Sequence, residues 1–452
     1  MKKLFRFMMA LAVVAIAFAC DRTPDNPGEG VTLSFSPKTQ DMRVGDQLQL
    51  TVKAEPSTAD LSQVKWASSS DEIASVDENG MVTAKAEGSV NIQASLGSAT
   101  AICLVKVKPA IKITIIENPI NLYVGLDKGI TFTVSPSNVS TAGMTFTSAN
   151  PSVAKVDNSG TVTGVAAGTT EVTLKLGNSE AKVTVNVEDP GVLPVQRKSI
   201  LVEEFTGQLC GNCPAGANTI HNAIRQLGED KAVLVAHHVG YYEDNYTMAF
   251  SRPLQSFYGT GGTYAPACMV DRTNWGEGVP AFYPSGLNAI FTKAYNSKTY
   301  ADLDMTVELA ADSTLTVKVN GDLMINYPDA HLIVYLTQDG VKAWQGSGGN
   351  SYAHPNMVRA NLAGNAWGDT FDQPKGKFNK EYTFKIPAEI KSDGKLTGGY
   401  GNPEVDKPLT VSDLDNMYVV AFIADVHVSG LNAIQSQINN MKVHNTIMKK
   451  VR

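Results

Sequence analysis

The chain has 452 residues, of which 43% are hydrophobic and 18% charged, with a formal net charge of −6. That length suffices for about three or four domains with separate cores. The acidic balance argues against nucleic acid as a partner, and five cysteines are too few for a disulfide-stapled scaffold. Residues 1–19 read as an export leader, with basic Met1-Lys2-Lys3-Leu4-Phe5-Arg6 followed by an apolar run from Phe7 to Ala19 that is too short to span a bilayer. Loss of Lys2, Lys3 and Arg6 takes the mature chain to −9.

Cys20 follows Ala17-Phe18-Ala19 directly and resembles the lipidated cysteine of a lipoprotein signal, which implies a membrane partner through a lipid anchor on Cys20. Ordinary cleavage there instead leaves an unpaired thiol in an oxidising compartment. Residues 20–30 are rich in Pro, Gly and Asp and form a tether.

Shifting the chain by 80 residues lays its first third on itself: Val44-Gly45 on Val124-Gly125, Trp66 on Phe146, Val76-Asp77 on Val156-Asp157, Gly80 on Gly160, and Val82-Thr83 on Val162-Thr163. Alternating segments such as Leu48 to Val52 and Glu171 to Leu176, separated by turn residues, predict β-strands in sandwiches spanning 31–108 and 111–188. The pattern resembles the bacterial Ig-like group 2 domain, which implies rigid spacers or modules that bind a surface protein or glycan. Asp71, Asp77 and Asp157 are expected to form turns rather than to hold calcium. Cys103 sits in an apolar stretch and is expected in the first core.

From residue 192 the style changes to α/β. The apolar run Ser199 to Phe205 gives way to Cys210-Gly211-Asn212-Cys213 and a helix-like segment from Pro214 to Ile224. A helix N-terminus stabilises negative charge, so the placement favours a thiolate on Cys210 and leaves Cys213 one turn on to resolve a mixed disulfide. A structural disulfide is the alternative. Zinc sites normally bring a second Cys or His pair, whereas His237 and His238 are adjacent on a predicted strand and point to opposite faces. Cys268 is expected to be a buried strand thiol; its rival role is in a metal site with His237 or His238.

These features resemble thioredoxin-like proteins. The resemblance implies that Pro266 is a cis-proline facing the dithiol and shaping the substrate groove, and that Glu204 is a buried acid serving Cys213. Leu209 stands where those proteins commonly carry tryptophan. The segment Glu203-Glu204-Phe205-Thr206-Gly207 through Cys213-Pro214, with Ala265-Pro266 and Trp367-Gly368-Asp369, is similar to a Bacteroidetes outer-membrane lipoprotein family named after a twenty-eight-kilodalton protein.

Strand patterns return after residue 300, among them Thr314 to Val319, His331 to Leu336 and Tyr418 to Ala424, and predict a C-terminal all-β sandwich over 300–452. Trp344 to Phe378 reads as a long loop carrying His354, Arg359 and Trp367. The expected fold is therefore multidomain: two Ig-like sandwiches, an α/β thioredoxin-like domain over 192–299, and the sandwich. The expected activity is thiol–disulfide exchange on exported protein thiols or disulfides, with no cofactor and no metal; the rival is a non-catalytic surface protein. No nucleophile elbow and no phosphate-cradling glycine loop with lysine occurs.

Overall fold

Period-two patterns dominate residues 31–188, and they fold as short β-strands. A computed structural model describes residues 30–239, 243–259, 264–275, 279–389, 410–429, 432–433, 438 and 441–452. The expected leader, Cys20 and the tether through residue 29 lie outside the described residues. The chain divides into two compact units.

In the first unit, Thr39–Arg43 runs parallel to Ala99–Lys108, which pairs antiparallel with Gly88–Leu96, and that strand with Lys65–Ser68. A three-stranded sheet of Gln47–Gln49, Met81–Ala84 and Ala74–Val76 completes a core containing Ile92, Val105 and the fully buried Cys103. Strands Gly168–Leu176 and Ser179–Glu188 recur 80 residues after Gly88–Leu96 and Ala99–Lys108.

The hairpin carboxylates form turns, as expected. Asp77 Oδ1 accepts from the amides of Asn79 and Met81 at 2.9 and 2.8 Å, and Asp157 Oδ1 accepts from those of Ser159 and Thr161, both at 2.8 Å. Gly80 has a φ of +84°, and a Cβ there would lie 2.6 Å from the Trp66 ring, so both backbone and packing require glycine.

From residue 200 onward the second unit holds, in order, β1 (Ile200–Thr206), α1 (Cys213–Leu227), β2 (Ala232–His238), α2 (Arg252–Tyr258), β3 (Ala267–Val270) and α3 (Leu287–Asn296). Then follow β4 (Ala301–Leu309), β5 (Thr314–Leu323), β6 (Ala330–Gln338), β7 (Val341–Gln345), β8 (Gly349–His354), β9 (Met357–Asn361), β10 (Asp369–Thr370), β11 (Gly376–Lys385), β12 (Met417–Asp425) and β13 (Val443–Lys450). β1 is buried at every position because both of its faces are covered. It pairs parallel with β2 and antiparallel with β3.

The sheet order is β3-β1-β2-β9-β6-β12-β13, with β10 also on β6. Its far end returns to its start, where Ser199 bridges Thr446. Strands from both sides of residue 300 thus share one sheet, because β9 joins β2 through Ala236 and Met357. A separate sheet, β4-β5-β11, packs Leu303, Met305 and Val317 against Leu332, Val334 and Val419.

The expected loop between Trp344 and Phe378 is instead a run of short strands, from the end of β7 to the start of β11. Its glycines and polar residues hide the alternation. His354, Arg359 and Trp367, expected in that loop, are all buried. Hairpin residues of the second repeat are held against α3 and its exit. Lys293 Nζ donates to Thr161 Oγ1 at 2.8 Å, and Tyr300 Oη donates to the Val124 carbonyl at 2.7 Å.

Candidate functional site

β1 ends in a turn, Gly207 to Asn212, that delivers the chain into α1. Cys210 N donates to the Gly207 carbonyl at 3.0 Å, and Asn212 is the N-cap residue, its carbonyl accepting from Gly216 N at 3.1 Å. Cys213 is therefore the first helical residue and Cys210 lies outside the helix. The two form a disulfide. Cys210 is half-buried, whereas Cys213 is 2% exposed. The helix carries Pro214 at its start, where a missing N–H costs nothing.

Ala265-Pro266 is a cis peptide at the entrance to β3. The Pro266 ring lies against α1 at Gly216, where a Cβ would be 2.6 Å from the proline Cβ. Gly216 thus permits the close approach of β3's entrance to the dithiol helix. Sequence reading missed it, since a helical glycine looks like a mere weak point.

The paired carboxylates Glu203 and Glu204 meet opposite fates because successive strand residues face opposite sides. Burial alone raises the Glu203 carboxyl, but the Arg272 charge, its hydrogen bonds and His237 outweigh this and hold it at about 2. Arg272 Nε and Nη2 donate to Glu203 Oε2 and Oε1, both at 2.9 Å. His237 Nε2 lies 3.3 Å from Oε1, and its Nδ1 hydrogen-bonds the Ser251 hydroxyl at 2.8 Å. Arg272 reaches back through consecutive left-handed residues, Asp271 and itself at φ 49° and 51°. Arg272→Met leaves a buried, unpaired carboxylate, so unfolding in denaturant is expected to show a loss of about 3 kcal/mol, most of it recovered in the Glu203→Gln/Arg272→Met double variant. Equal losses in the single and double variants would refute this.

Glu204 faces the other side with Val202, under α1, next to Cys268 across the β1–β3 register. It is 1% exposed, and its Oε2 has no hydrogen-bond partner among the described residues. Burial pushes its carboxyl up to about 8. Burial and the nearby Glu204 push the Cys268 thiol far above the ordinary range, leaving it protonated and unreactive.

His238 shares a network with the dithiol turn. Asp244 Oδ2 accepts from Gln208 N at 2.7 Å and lies 2.7 Å from His238 Nδ1, and the His354 ring is centred 5.1 Å from that of His238. Burial first, then His238, lowers His354 to about 3, so it stays neutral. Among the described residues no group of three or more His, Cys, Asp or Glu is disposed to hold a metal ion, and Cys268 joins neither His237 nor His238 in one. A shallow 420 Å³ cleft lies further along α1, between Thr219, Asn222 and Gln226 and the start of α3 at Leu287, and holds no titratable side chain.

Residues 31–103 and 111–187 match the bacterial Ig-like domain (group 2). An Ig-like virion protein of Serratia phage KSP90 is 30% identical over 164 residues, covering 34% of this chain and 64% of that protein. The chain spans 64% or less of the length of the curated relatives it matches. Among solved structures, HBP35 of Porphyromonas gingivalis is 16% identical with a TM-score of 0.41, over 57% of this chain and 77% of that one. A domain of the outer membrane lipoprotein Omp28 from Porphyromonas gingivalis is 17% identical with a TM-score of 0.19, over 34% and 89%. Among the described residues no helix is long and apolar enough to cross a membrane.

Proposed function

We propose that the second unit carries a thioredoxin-like thiol–disulfide exchange site, displayed from the cell envelope on two Ig-like modules. The observation that carries this reading is the asymmetry of the pair: Cys210 is accessible ahead of the helix and Cys213 is covered at its first residue, while Glu204, on the strand that feeds the helix, is a neutral buried acid. A purely structural staple has no use for an unpaired Glu204 under that helix.

In the oxidising direction a substrate thiolate attacks Cys210 Sγ. The Cys210–Cys213 bond breaks, and Cys213 leaves as a thiolate that takes its proton from Glu204. A second substrate thiolate then attacks the substrate sulfur of the mixed disulfide and releases Cys210 as a thiolate. Two electrons pass from the substrate dithiol to the pair. In the reverse direction Cys210 attacks a substrate disulfide and Cys213 resolves the product, with Glu204 accepting the proton from Cys213. Pro266, packed on the dithiol helix at Gly216, is assigned to shape the substrate groove.

Equilibration with glutathione tests the reading. The expected potential lies between about −120 and −270 mV, the range of catalytic dithiols. A couple below about −300 mV that resists reductant in the folded protein is a staple, and the surface-binding role then takes its place. The anchor on Cys20 is part of the same proposal; an unmodified N-terminus in the native protein, read by mass spectrometry, sinks it.

A further inference from the structure

The dithiol turn has a second support, supplied from 135 residues further along the chain. The tip of the β7–β8 hairpin lies along the backbone of residues 207–211. Gln345 Nε2 donates to the Cys210 carbonyl at 2.8 Å and to the Gly207 carbonyl at 3.1 Å. Gly346 N donates to the Gln208 carbonyl at 2.7 Å, and Gln208 Nε2 returns a bond to the Trp344 carbonyl at 2.9 Å. A Cβ on Gly346 would stand 3.2 Å from the Gln208 carbonyl oxygen, and one on Gly211 3.2 Å from Ser347 Oγ. Gln345 is 1% exposed, and its own Oε1 has no hydrogen-bond partner among the described residues. Each of the two carbonyls already accepts one backbone N–H, Gly207 from Cys210 and Cys210 from Cys213, so the amide leaves its own acceptor unsatisfied while giving each turn carbonyl a second bond.

We propose that Gln345 is a positioning residue for the exchange reaction, fixing the Gly207–Cys210 turn and favouring the thiolate of Cys210 by drawing charge from that residue's own carbonyl. The inference rests on the exchange reading above. The Cys210 carbonyl oxygen, which accepts from Gln345 Nε2 at 2.8 Å and from Cys213 N at 3.3 Å, carries partial negative charge on the same residue as the developing thiolate. A donor on that oxygen weakens the repulsion, and an acceptor in its place strengthens it. The carboxamide is also the geometric clamp, because it ties the first and last residues of the turn through one rigid group.

The test is the pH profile of Cys210 alkylation in the reduced full chain, with Cys213 replaced by Ser so that one accessible thiol reports. Gln345→Glu keeps the shape and exchanges a donor for an acceptor. It is expected to move the profile up by about one pH unit, which is about tenfold slower alkylation below the midpoint. Gln345→Leu removes the donors without adding charge and is expected to slow alkylation about threefold; it serves as the readout where the glutamate variant fails to fold. A purely structural role lowers stability and leaves the profile in place. Unchanged profiles in folded variants, against a low-pH profile in the parent, overturn the assignment of Gln345 alone. An inert Cys210 in the parent overturns the exchange reading and this inference with it.

Discussion

Cys213→Ser is expected to accumulate mixed disulfides through Cys210 when exposed to substrate disulfides, and Cys210→Ser is expected to accumulate none. The difference is all or none because a trapped species needs an accessible attacking sulfur and the loss of the resolving one. Cys210 supplies the first, being half-buried ahead of the helix, and Cys213 supplies the second from a position 2% exposed. Mass spectrometry of the protein after incubation with oxidised glutathione reads the adduct. Equal trapping by both variants contradicts the order of attack, and trapping by neither contradicts exchange altogether.

Glu204→Gln is expected to flatten the dependence of stability on pH. The folded carboxyl is raised to about 8 from an ordinary value of 4.5, so folding takes up a proton between those limits. Its favourable contribution is complete below the unfolded value and is lost as pH rises towards 8. The slope is about 1.4 kcal/mol per pH unit, and the whole window amounts to roughly 5 kcal/mol. Above 8 the profile is level again. Urea denaturation from pH 4 to 9 should therefore show the glutamine variant gaining on the parent through the window. Parallel profiles would mean that Glu204 ionises normally in the fold, and the proton-donor role would go with it.

The parts of the site that were legible in the sequence share one property: their meaning lies in spacing along a few residues. The Cys210 to Cys213 interval, Pro214 after it, the alternation of β1 and the 80-residue repeat are all local. The missing parts are partnerships across long stretches of chain. Glu203 and Glu204 look alike in sequence, and Arg272, 69 residues away, together with His237 separates their chemistry. Gln345 sits in a segment whose glycines disguise its strands, and nothing in its neighbourhood points to Cys210. The boundary expected at residue 300 follows a change in pattern, whereas sheet membership follows pairing, and β9 carries the pairing across it.

If the chain is exported as proposed, the return of β13 to the entry of β1 has a consequence for its passage. Lys198 N donates to Asn445 Oδ1 at 2.8 Å, Ser199 Oγ donates to the Thr446 carbonyl at 2.8 Å, and Arg197 Nη2 donates to the Val443 carbonyl at 3.3 Å. The entry to β1 is thus completed by residues 443–446, some 247 positions later. A protein threaded through a membrane from its N-terminus cannot close this body while the tail is still in transit. On the proposed export route the Ig-like repeats have their strands delivered first, and the segment carrying Cys210 and Cys213 crosses before the residues that close the entry to β1. The timing of release, rather than the rate of local helix or hairpin formation, then sets when the pair acquires its asymmetric environment.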